Sequence, residues 1–336
     1  VAIDPERRAS LLGAKLRALV TAGWAADPRI EGAIEGTFPG GAAMQADAVG
    51  WVLVEDDAHR SLGPALAWAR QHQVDDLHVL VERDAGLLAR RARQFRRPAT
   101  IWTISGAEVH AAEPELVSAP VAASESARAA AVALYEAGLD VVEEHGEITG
   151  EVLGLEVARV VTDADGSARV EVGVGRHDRE AFAMLHAGRE PADALGSVAQ
   201  TVELHRRPGA PAHPLNRLAA SRWLRARLVA EPGLVGAAEL RPVEGIRPRA
   251  GVKDTTAEGA VGTDPAGRPV VAVASTGIDL DLLPTAADLR LAHAPSARLV
   301  VVVPERDAHP VTRALASSLV DPAEVVALPG DWRSES

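Results

Sequence analysis

Two glutamates, Glu156 and Glu171, stand on opposite arms of a β-hairpin that the sequence marks clearly. Val152 to Thr162 and Ala168 to Val174 are apolar-rich arms, and Asp163-Ala164-Asp165-Gly166 between them supplies the Asp and Gly that a tight turn needs. With those four residues as the loop, the spacing predicts Ala158 opposite Glu171 and Val157 opposite Val172. Glu156 and Glu171 are then diagonal neighbours, about 7–8 Å apart at the backbone. Two carboxylates that close bind a cation, share a proton, or lean on an arginine such as Arg169. Directly after the hairpin, Arg176, His177, Asp178 and Arg179 form the densest polar cluster in the chain. A histidine beside carboxylates can serve as general base or metal ligand. The same residues also fit a helix-capping loop with Asp178 as N-cap.

Upstream, Ser124 is a good N-cap, and apolar spacing through Leu134, Leu139 and Val142 predicts a helix from Glu125 to about Glu144. It would end on Glu143-Glu144-His145-Gly146. Two acids at a helix C-terminus oppose the macrodipole at a cost of a few tenths of a kcal/mol each. Downstream, a helix is expected from Pro191 to His205. His205 and His213 have Thr201 and Gly209 one helical turn earlier, neither of which is a usual metal ligand.

The ends of the chain read as one plan written twice. Gly50–Glu55, Leu77–Val81 and Thr100–Ile104 are apolar strand runs with helical spacing between them, and Pro269–Ala274, Leu299–Val303 and Glu324–Leu328 repeat the order. A Glu-Arg-Asp tripeptide follows the second strand in each copy, at Glu82–Asp84 and Glu305–Asp307, where the Asp is expected to cap the next helix. Each copy follows an amphipathic helix, Arg7–Gly23 or Leu215–Val229. Strands apolar at nearly every position are buried on both faces, which predicts mostly parallel sheets covered by helices. The expected fold is therefore α/β, with two similar lobes flanking a middle helix/β-hairpin/helix unit. The expected boundaries are a first lobe at 1–111, a linker at 112–123, a middle unit at 124–210, a second lobe at 211–330 and a tail at 331–336.

A helix ending in Glu, followed by antiparallel strands carrying one acid and later a second, resembles the PD-(D/E)xK restriction-endonuclease-like superfamily. Glu143 or Glu144, Glu156 and Glu171 match the acids, and the lobes' strand-helix-strand-helix-strand order resembles the later part of that fold. The resemblance implies Mg²⁺ or Mn²⁺ held by Glu144, Glu156 and Glu171, and a metal-dependent, nuclease-like hydrolase using Glu156, Glu171, Arg176 and His177. The superfamily's lysine falls on Gly173, with Arg176 or His177 as the nearby substitutes. A motif without its lysine implies a catalytically degenerate descendant.

Composition narrows the classes further. The chain has 336 residues, no Cys, 47% hydrophobic residues, and 35 Lys+Arg against 47 Asp+Glu. Thiol chemistry, disulfides and Cys-bound zinc are excluded. No apolar run reaches membrane-spanning length, and the first residues lack the marks of a signal peptide, so a cytoplasmic location is expected. A formal charge of -12 opposes a broad nucleic-acid surface, leaving nucleic acid only local contacts. A protein partner or self-association fits better. Arg90, Arg91, Arg93, Arg96 and Arg97, and Arg217, Arg222, Arg225 and Arg227, are expected to lie on solvated helix faces. Lys15 and Lys253 are the only lysines, and neither a Rossmann glycine turn nor a Walker motif follows a strand. Glu55, Asp56, Asp57, Asp279 and Asp281 at strand ends are weaker metal candidates. The expectation is a non-catalytic or degenerate protein with a binding or scaffolding role; the alternative is a Mg- or Mn-dependent phosphodiesterase.

Overall fold

Strand runs and helical spacing at the N-terminal end assemble into a six-stranded sheet: β1 (Ile34–Phe38), β2 (Gly41–Ala46), β3 (Val49–Val54), β4 (Asp76–Val81), β5 (Thr100–Ser105) and β6 (Glu108–Ala111), in that spatial order. The computed structural model describes residues 4–175, 178–179, 191–207, 210–211, 213–249 and 251–333. β3, β4 and β5 are parallel, and the other pairs are antiparallel. The parallel steps are made by α2 (Leu62–Gln71) and α3 (Ala85–Ala92), as crossovers between parallel strands require. Helix α1 (Pro5–Gly23) starts where the Asp4 carboxylate accepts the Arg7 amide at 3.2 Å. It buries Leu12, Leu16, Leu19 and Val20 against Met44, Trp51, Leu53, Leu80 and Ile104.

A five-stranded sheet closes the chain: β11 (Glu239–Val243), β12 (Glu258–Thr263), β13 (Pro269–Ala274), β14 (Arg298–Pro304) and β15 (Glu324–Leu328). Its strand order and directions repeat those of β1 to β5. Helix α7 (Ala220–Ala230) precedes it as α1 precedes the first sheet, with Trp223, Leu224 and Leu228 packed on Ala260, Val270 and Ala272. Helices α8 (Leu282–His293) and α9 (Pro310–Ser318) make its parallel crossovers. The Glu-Arg-Asp punctuation differs between the copies. Asp84 occupies the N-cap position of α3 with φ 60° and no side-chain cap bond. Glu305–Asp307 forms a 3-10 turn, and the Nδ1 of His309 caps α9 by accepting the Val311 amide.

Between the two sheets in sequence lies a four-stranded antiparallel meander: β7 (Asp140–Glu144), β8 (Glu147–Val152), β9 (Leu155–Thr162) and β10 (Ala168–Val172). Short helices α4 (Glu125–Ala130) and α5 (Val132–Glu136) precede it, and α6 (Pro191–Arg206) follows. The single helix expected to reach Glu144 is therefore corrected. It ends near Glu136, where Gly138 takes φ +74° and the Leu139 amide returns to the Leu134 carbonyl. β-branched Val141 and Val142 then favour a strand, and His145-Gly146, both at positive φ, form the two-residue turn into β8. Glu143 and Glu144 are strand residues and oppose no helix dipole.

The hairpin register also shifts by one. The Asp163 amide donates to the Ser167 carbonyl, so the loop includes Ser167. Glu171 pairs with Arg159, and Val172 with Ala158. By contact density the chain forms two compact units. One comprises 1–117, 280–288 and 309–323; the other comprises 118–279, 289–308 and 324–336. Among the described residues no helix is long and apolar enough to cross a membrane.

Candidate functional site

β7, β8 and β9 and the loop after β11 enclose a polar cavity of about 230 Å³ in the second unit. Glu144, His145, Glu147, Thr149, Glu156, Arg159, Pro248, Arg249 and Gly251 line it. Two of the carboxylates picked out by the sequence, Glu144 and Glu156, thus share one cavity. Glu171 joins them through Arg179. Arg176 and His177 lie outside the described residues.

A β-bulge decides how Glu156 is presented. Gly150 pairs with Ala158 but Glu151 pairs with Glu156, so Val157 is an extra residue in β9. Strict alternation would put residues 156 and 159 on opposite faces, and the extra residue brings them to one. Arg159 then grips Glu156 with two parallel bonds, Nε to Oε1 and Nη2 to Oε2, both at 2.9 Å. Arg159 also pairs with Glu147. Arg179 donates to Glu156 at 2.5 Å, and its Nε lies 3.8 Å from the Glu171 carboxylate. Glu171 is bound in turn by Arg169 at 2.8 Å, and Arg169 also reaches Asp163 at 2.6 Å. The expected lean on Arg169 is present for Glu171, while Glu156 turns to Arg159 and Arg179.

Glu144 faces a second cluster. With Glu151 and Glu258 it meets Arg222, Arg225 and Arg249, three carboxylates against three guanidinium groups. Arg225 reaches Glu144 at 2.8 Å, Glu258 at 3.1 Å and Glu151 at 3.3 Å. Arg222 pairs with Glu144 and Glu151. Burial pushes the Glu144 carboxyl up, but the charges of Arg222, Arg225 and Arg249 outweigh it and hold its pKa below the usual value. Burial pulls Arg222 down to about 10, which still leaves it charged at neutral pH.

These arginines correct the expectation of solvated faces. Arg222 and Arg225 are each 1% exposed. In the first unit, Arg90 and Arg91 are buried as well. Asp288, fully buried, accepts from Arg90 Nε at 2.8 Å, Arg90 Nη2 at 3.0 Å and Arg91 Nε at 3.1 Å. Arg91 also reaches Asp281 at 2.9 Å, and Asp281 accepts the Gly63 amide at 2.9 Å. A buried charge persists only with partners, and each of these has them. Arg96 and Arg97, by contrast, are exposed as expected. At the strand ends Lys15 bridges Glu55 and Glu82, and Arg8 holds Asp56.

The arrangement does not fit a divalent cation. Among the described residues no group of three or more His, Cys, Asp or Glu side chains could hold one. The oxygens of Glu144, Glu156 and Glu171 already accept from guanidinium groups, which supply fixed positive charge at those positions. Sequence reasoning did not foresee Arg159, Arg179, His145 and Arg249 around this cavity. Arg159 carried a signal, as the one charged residue on an apolar hairpin face. It also did not foresee the stacking of His205 on His213, with ring centroids 3.8 Å apart. Comparison with protein-family models, curated proteins and solved structures finds no match to the chain.

Proposed function

We propose that the chain is a cytoplasmic binding or scaffolding protein without hydrolytic activity. Its nuclease-like acids serve as ion-pair partners. The observation that carries this reading is Arg179, whose guanidinium reaches both Glu156 and Glu171. A metal-dependent phosphodiesterase needs those oxygens open toward a cation and a substrate phosphate. Here a tethered cation stands between them, and Arg159 takes both oxygens of Glu156 from the other side. The missing lysine at Gly173 agrees, as does an acidic chain that would repel a polyanion. Descent from a nuclease-like ancestor, with one lobe copied to make the other, accounts for the repeated strand order.

The test is hydrolysis of single- and double-stranded DNA and RNA with Mg²⁺ or Mn²⁺, beside the Glu156→Ala variant. Equal, background-level cleavage by both proteins is expected. Metal-dependent cleavage by the wild type that disappears in Glu156→Ala would establish the phosphodiesterase instead.

A further inference from the structure

A second cavity, of about 470 Å³, opens in the first unit and has a different character. Its floor is apolar, with Leu66, Val74, Leu77, Phe95 and Leu315 among its lining residues. Its walls are fixed by backbone pairing between the end of α3 and the end of α9. The Arg96 amide donates to the Ser318 carbonyl at 3.0 Å, and the Val320 amide donates to the Gln94 carbonyl at 2.8 Å. Phe95 and Leu319 are bridge partners between them. The volume falls within the range of small-ligand sites, roughly 300–1,000 Å³, and far exceeds the water-sized voids of an ordinary core.

The rim carries Arg70, Arg96 and Arg97. Arg97 is paired with Asp75. Among the described residues the guanidinium groups of Arg70 and Arg96 have no hydrogen-bond or ion-pair partner. Arg70 lies in the last turn of α2, where a cation offsets the helix dipole. That accounts for only part of the charge. The ends of α2, α3 and α9 together carry about one and a half negative elementary charges, still less than the charge of two unpaired guanidinium groups. The rim is left with net positive charge over an apolar floor.

We infer that this cavity binds a small organic anion: an alkyl or aryl body against Phe95 and Leu315, with a carboxylate or phosphate held by Arg70 and Arg96. Planar guanidinium groups match both headgroups through paired N–H donors. The site shares no residue with the cavity around Glu144 and Glu156 and does not depend on the reading given to those acids.

Calorimetric titration with 2-naphthoate, 1-naphthyl phosphate, 2-naphthol and a naphthylmethyl-ammonium salt tests it. One or both anions should bind at least ten-fold more tightly than the neutral alcohol, and the cation should not bind. Whichever anion is tighter identifies the headgroup. Arg70→Gln/Arg96→Gln should weaken anion binding at least ten-fold while lowering the melting temperature by no more than a few degrees, the cost of losing Arg70 from the end of α2. Ala314→Trp, which fills the cavity, should abolish binding and leave the fold intact by circular dichroism. The proposal is overturned if neither anion binds at millimolar concentration, if alcohol and anion bind equally, or if the double variant binds like wild type.

Discussion

Arg179 donates to Glu156 at 2.5 Å across 23 positions of sequence, joining the segment after the hairpin to the start of β9. The same guanidinium reaches Glu171. The carboxylate pair that a sequence reader would assign to a metal is thus held by a side chain of the protein itself.

Removing Arg179 together with Arg159 should expose the pair. In Arg159→Ala/Arg179→Ala both oxygens of Glu156 lose their guanidinium partners, and Glu171 keeps only Arg169. Millimolar Mn²⁺ should then raise the melting temperature of the variant and leave the wild type unmoved. An equal Mn²⁺ response in both proteins would place the cation elsewhere.

Asp288 is the most demanding ion-pair position in the first unit, because two arginines converge on it from a fully buried site. Asp288→Ala leaves Arg90 and Arg91 buried with one partner fewer, which typically costs about 3–5 kcal/mol. The exposed pair of Arg17 with Glu35 is a control. Arg17→Ala should cost no more than about 1 kcal/mol. Urea denaturation of both variants compares them directly.

Acid should weaken the second unit through Glu144. Its folded pKa lies below the ordinary glutamate value of 4.5, so its contribution is present above that value and is lost as pH falls through the lower, folded one. Glu143, whose bonds from Arg128 and the Ala123 amide also lower its pKa, adds in the same direction. Melting temperatures measured from pH 7 to pH 3 should fall below about pH 4.5. Glu144→Gln should start lower at pH 7 and lose less over that range. Parallel curves for the two proteins would remove Glu144 as a source of the acid sensitivity.

Gly154 tests the tight join between β8 and β9. It sits at φ +74°, and a Cβ there would lie 2.4 Å from the backbone of Arg222. Gly154→Ala therefore adds left-handed strain of about 1–3 kcal/mol to a steric clash with α7. Gly166, at φ +84° with open space around it, meets only the strain. Gly154→Ala should lose clearly more stability than Gly166→Ala in chemical denaturation.

Local signals read well where the chain's own period and punctuation decide the outcome. The central lobe strands are apolar runs with Asp, Gly and Pro near their ends, and the parallel parts of both sheets, β3 to β5 and β13 to β15, follow from them. Ser124 caps its helix as its residue type predicts, its hydroxyl accepting the Ala127 amide at 3.1 Å. The segment from Leu134 to Val142 misled because helix and strand both bury those apolar positions. The deciding feature was Gly138, a single left-handed residue. The hairpin slipped by one because Asp165 binds Ser167 through both its amide and hydroxyl and draws that residue into the loop.

The sequence by itself determined the α/β class, the strand-helix-strand-helix-strand order at each end, its repetition and the absence of thiol chemistry, because each depends on residues close together along the chain. Only the tertiary structure decided the fate of the charges. Arg90 and Arg91 look like any solvated helix face until Asp288, 197 positions or more away, is brought against them. Arg222 is separated from Glu144 by 78 positions. Long charged side chains are buried only where a partner awaits them, and no local pattern records where a distant partner will arrive.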